Sequence, residues 1–88
     1  MELKNKNIVV MGLARTGVSA ARFLAGRGAR VIATDMRAAA DLAGVQEQLR
    51  GCDIRWRLGG HEASDFLNSE LIVVSPGVPM DHPLLVQA

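Results

Sequence analysis

The sequence predicts an α/β fold in which a parallel sheet of about four strands is doubly wound by helices. Three observations carry this. Short apolar runs alternate with segments of helical periodicity. The first such run, Ile8-Val9-Val10-Met11, feeds a glycine turn, Gly12-Leu13-Ala14-Arg15-Thr16-Gly17, that opens a helix. The apolar half of the chain (49%) is almost free of aromatics, so the core has to be built from Val, Ile, Leu and Ala, as suits strands covered on both faces.

Taken in order, the first strand spans about Asn7 to Met11. The first helix runs from about Thr16 to Arg27, with Thr16 as its N-cap, Val18, Ala21, Leu24 and Ala25 as its apolar face, and Gly28 as its C-terminal stop. A second strand covers Arg30 to Thr34, and a weaker helix covers about Ala40 to Leu49. Asp53 to Arg57 alternates, Ile54 and Trp56 against Arg55 and Arg57, which reads as a strand near a sheet edge. Gly59-Gly60 breaks the pattern, and Glu62 to Phe66 forms a short helix. Leu71 to Val74 is wholly apolar, as expected of a sheet centre, and is ended by Ser75-Pro76-Gly77. Pro83 then stands as the first residue of a last helix, with His82 at its cap. With right-handed crossovers this β-α-β-α-β-α-β-turn-α order folds as a Rossmann-like sheet. The chain stops a few residues into the last helix, so a fragment truncated at its C-terminal end is expected, with residues 1–88 forming one N-terminal domain.

Composition excludes several classes. A net charge of +1, with basic residues scattered, makes no electrostatic case for nucleic acid or a membrane surface. No stretch approaches the roughly 20 apolar residues of a membrane span. The opening Met1 to Lys6 is polar, without the apolar region of a secretory signal. The single cysteine, Cys52, cannot form an internal disulfide and reads as a packing or loop residue. A cytoplasmic location is expected.

Three motifs fall at the C-terminal ends of strands, where such sheets bind ligands. In the Gly12–Gly17 turn the first glycine makes the tight turn, the second position faces a pyrophosphate, and the third lets the helix pack close to the strand. Ala14 occupies the second position. A diphosphate held by the N–H groups of Arg15, Thr16 and Gly17 remains feasible, with the Thr16 hydroxyl adding a bond. The turn is not a P-loop, because Gly17-Val18-Ser19 lacks the lysine that neutralises the β/γ-phosphates. Asp35 can accept from a ribose hydroxyl pair or from the N3–H of a uracil, and Arg37 can lay its guanidinium on a base or pair with a phosphate. Ser75-Pro76-Gly77 forms the far wall. The plainer readings are a strand–helix turn, a cap, a surface charge and a strand-ending turn. His61 and His82 read as a loop residue and a cap, and there is no Cys/His cluster for zinc and no Ser/His/Asp set.

Gly12-Leu13-Ala14-Arg15-Thr16-Gly17-Val18-Ser19, Asp35-Met36-Arg37, Leu71-Ile72-Val73-Val74-Ser75-Pro76-Gly77-Val78 and His82-Pro83 together resemble the N-terminal domain of the Mur ligases, most of all the D-glutamate-adding member. The resemblance covers essentially the whole chain. It implies that the domain binds the UDP part of UDP-N-acetylmuramoyl-L-alanine. Leu13, Ala14, Arg15, Thr16 and Gly17 would lie along the diphosphate. Asp35 would hold the uracil, with Met36 and Arg37 lining the base, and Ser75, Pro76 and Gly77 would border the uridine and the sugar. Two positions depart from the family's usual residues: Ala14, where glycine is frequent, and Met36, where a polar residue is frequent. The resemblance also implies that ATP and Mg, and the D-glutamate, are handled by a central and a C-terminal domain beyond these residues. The fragment itself would bind without catalysing and hold no cofactor. Two other functions fit the same turn and acid: an NAD(P)-binding domain of a dehydrogenase, and a regulatory nucleotide-binding module of the kind attached to transporters.

Overall fold

A computed structural model describes residues 2–76 and Leu85. Four strands, β1 (Asn7–Met11), β2 (Arg30–Asp35), β3 (Ile54–Leu58) and β4 (Leu71–Val74), form one parallel sheet in the order β3-β2-β1-β4. The expected fold class is the one observed.

β1 is one of the two inner strands and buries side chains on both faces of the sheet. Ile8 and Val10 enter a core with Val18, Ala21 and Leu24 of helix α1 (Arg15–Gly26). Leu42 and Leu49, which flank helix α2 (Ala43–Gln48), join the same core. Val9 and Met11 face the other way, onto Phe66 of helix α3 (Ala63–Leu67), with Ile32, Ile72 and Leu85 packed around them. Helices therefore cover both faces, and the aliphatic core predicted from composition is the one built, with Phe66 as its one buried aromatic ring among the described residues. Cys52 is half-buried against the larger core, as a packing residue.

α1 ends as Gly28 predicts. With φ at 86°, Gly28 donates its N–H to the Ala25 carbonyl (3.1 Å), and Ala29 donates to Leu24 (3.2 Å). This is the paired closure of a Schellman motif, in which a left-handed glycine satisfies the last carbonyls.

Four expectations are corrected. α1 begins at Arg15, not Thr16, and the N-cap is Ala14. The segment from Ala40 to Leu49 is not one helix: a short 3-10 helix over Ala39–Leu42 precedes α2. β3 and α3 each start one residue later than expected, with β3 at a sheet edge as predicted. β4 is not central. Among the described residues it pairs with β1 alone, and its four residues are only half-buried. The helix expected from Pro83, with His82 at its cap, lies outside the described residues.

Candidate functional site

The chain runs outward from β1 to β2 to β3, then returns to the other side of β1 as β4. The strand order thus reverses at β1, and the crevice at the C-terminal ends of β1 and β4 is where an open α/β sheet offers a ligand site. The Gly12 turn leaves β1 here, with both neighbouring strands bonded to it. Gly12 donates its N–H to the Thr34 carbonyl of β2 (2.9 Å), and Ser75, just past β4, donates to the Met11 carbonyl (2.9 Å). Ser75 is buried and Pro76 is exposed at the rim. Gly77 lies outside the described residues.

The turn explains its own residues. Gly12 has φ at 89°, the left-handed region that glycine enters without strain. Leu13 is buried in the larger core and anchors the loop. Ala14 has φ at −79° and ψ at −175°, ordinary extended backbone, so its methyl group imposes no backbone strain. At Gly17 a Cβ atom would stand 2.0 Å from the Gly12 carbonyl oxygen. That is the third-glycine role expected from the sequence, with the helix drawn down onto the turn.

The first bond into α1 runs from the Val18 N–H to the Ala14 carbonyl (2.9 Å). The N–H groups of Arg15, Thr16 and Gly17 therefore have no acceptor within the helix. Most helices satisfy such groups with a Ser, Thr, Asp or Asn cap. Here Ala14 has no side-chain acceptor to give, and the first turn carries no acidic residue. The positive end of the helix is left open toward the crevice. Ala14, Arg15 and Thr16 are exposed, and a groove of about 350 Å³ runs alongside, lined by Leu13, Ala14, Arg15, Ser19, Arg22 and Gln48 among others.

Asp35, the last residue of β2, is brought to the same turn. It is 7% exposed. Its Oδ2 accepts the Leu13 N–H (2.8 Å) and the Arg37 Nη2 (2.9 Å). Its Oδ1 accepts the Arg37 backbone N–H (2.9 Å) and Nε (3.0 Å). An ionised carboxylate has about four acceptor positions, and four donors fill them. The Arg37 side-chain bonds hold the Asp35 pKa down at about 2; burial opposes the shift, and the backbone N–H groups of Arg37 and Leu13 add to it. The same bond raises the pKa of Arg37. Met36 between them is 65% exposed, its thioether available to a flat apolar surface.

Two features of this edge were not read from the sequence. Gly59 donates its N–H to the carbonyls of Asp35 (3.1 Å) and Arg37 (2.7 Å), and Gly60 to Asp35 (3.3 Å), so the Gly59-Gly60 break clamps the 35–37 loop. The pair of glycines was the available signal, since both adopt positive φ. Thr34, fully buried, is hydrogen-bonded to His61 Nδ1, and the His61 ring stands edge-on to Phe66 at 6.0 Å. His61 is thus held on the α3 side of the sheet. No group of three or more His, Cys, Asp or Glu side chains suited to a metal occurs among the described residues, and no described helix is long and apolar enough to cross a membrane.

Among solved structures the chain is similar to SirC, a precorrin-2 dehydrogenase, with a TM-score of 0.66 and 18% identity over 89% of this chain and 38% of that one. It is also similar to the bacillithiol disulfide reductase Bdr (YpdA) of Bacillus cereus, with a TM-score of 0.53 and 24% identity over 67% of this chain and 20% of that one. Both likenesses concern the fold alone. Curated sequences are much nearer. The UDP-N-acetylmuramoylalanine–D-glutamate ligase of Trichlorobacter lovleyi is 60% identical over 85 residues, 97% of this chain and 19% of that protein. The enzyme of the same name from Geotalea uraniireducens is 62% identical over 87 residues, 98% of this chain and 19% of that protein. The chain thus spans about a fifth of the length of these relatives. The family model for the N-terminal domain of MurD-like Mur ligases matches residues 6–88, and the chain belongs to that family.

Proposed function

We propose that this chain is the UDP-binding part of a cytoplasmic ligase that adds D-glutamate to UDP-N-acetylmuramoyl-L-alanine in peptidoglycan precursor synthesis. The observation that supports it best is the open N-terminus of α1: three amides without internal acceptors, at the strand-order reversal, in a chain of this family. A diphosphate satisfies those amides and the helix dipole together. Arg15 and the Thr16 hydroxyl stand beside it, and Leu13, Ala14 and Gly17 supply the backbone it lies against. Asp35 takes the uracil N3–H, with the exposed Met36 and Arg37 on the base. Ser75, Pro76 and Gly77 border the uridine and the sugar.

The filled acceptor positions on Asp35 have a consequence for this reading. Leu13 and the Arg37 backbone N–H are fixed by the loop, whereas the Arg37 side chain is 53% exposed. It is the guanidinium that gives way when a base arrives, turning from the carboxylate to the ring face. ATP and Mg, held by segments beyond these residues, would supply the phosphoryl group that activates the substrate carboxylate for D-glutamate. The residues described here bind and orient the nucleotide.

Calorimetric titration of the chain with UDP, and separately with NAD, tests the proposal. Binding of UDP without binding of NAD is expected. Binding of NAD without UDP would assign the site to a dehydrogenase-type cofactor instead.

A further inference from the structure

Asp35 touches more than the place where a base would sit. Its Oδ2 reaches across from the end of β2 to the Leu13 N–H, 22 residues earlier in the chain, at 2.8 Å in a buried setting. Leu13 lies between Gly12, whose left-handed φ sets the turn, and Ala14, whose carbonyl starts α1. The described residues thus hold the turn by three bonds: Gly12 N–H to Thr34, Ser75 N–H to Met11, and Leu13 N–H to Asp35. Only the last comes from a side chain, and it ties the turn beyond Gly12 to the end of β2; the Val18 N–H to Ala14 carbonyl bond in the same stretch belongs to α1.

We propose that Asp35 is a positioning residue for the diphosphate: through the Leu13 N–H it holds the glycine turn so that the amides of Arg15, Thr16 and Gly17 converge on the anion. This deepens, and rests on, the reading of the α1 N-terminus as a diphosphate site. One side chain would then serve both halves of the ligand, accepting from the base on one side and bracing the phosphate cradle on the other.

Electrostatics makes the role testable by its sign. Asp35 is a negative charge beside an anion site, and its partner Arg37 is positive. Replacing Asp35 by alanine removes the one and frees the other, so charge alone would tighten the binding of an anion. Loss of the brace acts oppositely, because a loosened turn must be ordered again by the ligand.

The test is titration of the chain and its Asp35→Ala and Asp35→Asn variants with inorganic pyrophosphate, which has no base, and with UDP. Asp35→Ala is expected to bind pyrophosphate about tenfold more weakly, the scale of one lost hydrogen bond to a charged group. Asp35→Asn keeps an oxygen for Leu13 and is expected to stay within about threefold of the parent chain for pyrophosphate. If Asp35→Ala does not fold, the asparagine variant decides alone. Nuclear magnetic resonance then has to show its Leu13 amide still hydrogen-bonded and pyrophosphate binding retained, and a retained bond with lost pyrophosphate binding overturns the inference. Pyrophosphate binding unchanged or tightened in Asp35→Ala, with UDP weakened, also overturns it and leaves Asp35 as a base acceptor only. If the parent chain binds neither pyrophosphate nor UDP, the diphosphate reading fails, and the inference falls with it.

Discussion

β1 is held at both ends by a carboxylate, and the two ends behave as different materials. At its first residue, Glu70 accepts the Asn7 N–H at 2.8 Å and pairs with the preceding Lys6 at 3.5 Å. Beyond its last residue, Asp35 accepts the Leu13 N–H at 2.8 Å and pairs with Arg37 at 2.9 Å. The bonds are alike in length and kind. The surroundings are not: the Glu70 side chain is 46% exposed and that of Asp35 is 9% exposed. In both cases a hydrogen bond holds the carboxyl below its ordinary range, by the Asn7 N–H for Glu70 and by the Arg37 side chain for Asp35. Water competes for Glu70 and replaces whatever is lost there, whereas the Leu13 N–H has no such substitute. The same sheet therefore has a forgiving end and an exacting end, and the exacting end is the one that the family resemblance assigns to ligand.

The largest break in this contrast is expected at Gly17. A methyl group there would meet the Gly12 carbonyl oxygen at 2.0 Å, against backbone that cannot turn aside. Gly17→Ala is expected to cost about 3 kcal/mol in urea unfolding, at the upper end of overpacking changes, and to abolish UDP binding. Asp35→Ala comes next, at about 2 kcal/mol, because it leaves the buried Leu13 N–H unpaired.

The folded pKa of Asp35, about 2, lies below its ordinary value of 3.8. The unfolded chain therefore binds the proton more readily, so the stabilisation is complete above the unfolded value and is lost as pH falls from about 4 through 2. Discounted for the half-exposed Arg37, that loss is about 1–2 kcal/mol. Unfolding followed over this range should show the component in the parent chain and not in Asp35→Ala. The smallest effect belongs to the forgiving end: Glu70→Gln should leave the unfolding midpoint in the same assay close to that of the parent. A Glu70 effect as large as that of Asp35 would erase the distinction between the two ends.

How far the sequence could be read follows the same line between local and distant causes. β1, the Gly28 stop and the close packing at Gly17 were legible because each is decided within a few residues. The start of α1 was misread because Thr16 has the chemistry of a cap. The turn geometry decides instead: Gly12 and Leu13 carry the chain so that the Ala14 carbonyl is first to receive a helical N–H. β4 was misplaced because an apolar run reads alike at the centre and at the edge of a sheet, and only strand order separates them. Asp35 was placed correctly at a strand end, yet its partner Leu13 sits in the turn after another strand, and no local pattern encodes that pairing. The same holds for the Gly59 and Gly60 amides on the 35–37 loop. The family was legible because its motifs recur in order, whatever each one does.

The proposed site is tested most directly by following the amides of the chain in two-dimensional nuclear magnetic resonance while UDP is added. The largest shifts are expected at Leu13, Arg15, Thr16 and Gly17 and at Asp35, Met36 and Arg37, with Asn7 and Glu70 unmoved. Shifts centred on the opposite edge, in the groove of about 330 Å³ by Asn7, Arg30, Asp53 and Arg55, would contradict it. So would a titration in which the amides of Arg15, Thr16 and Gly17 stay in place.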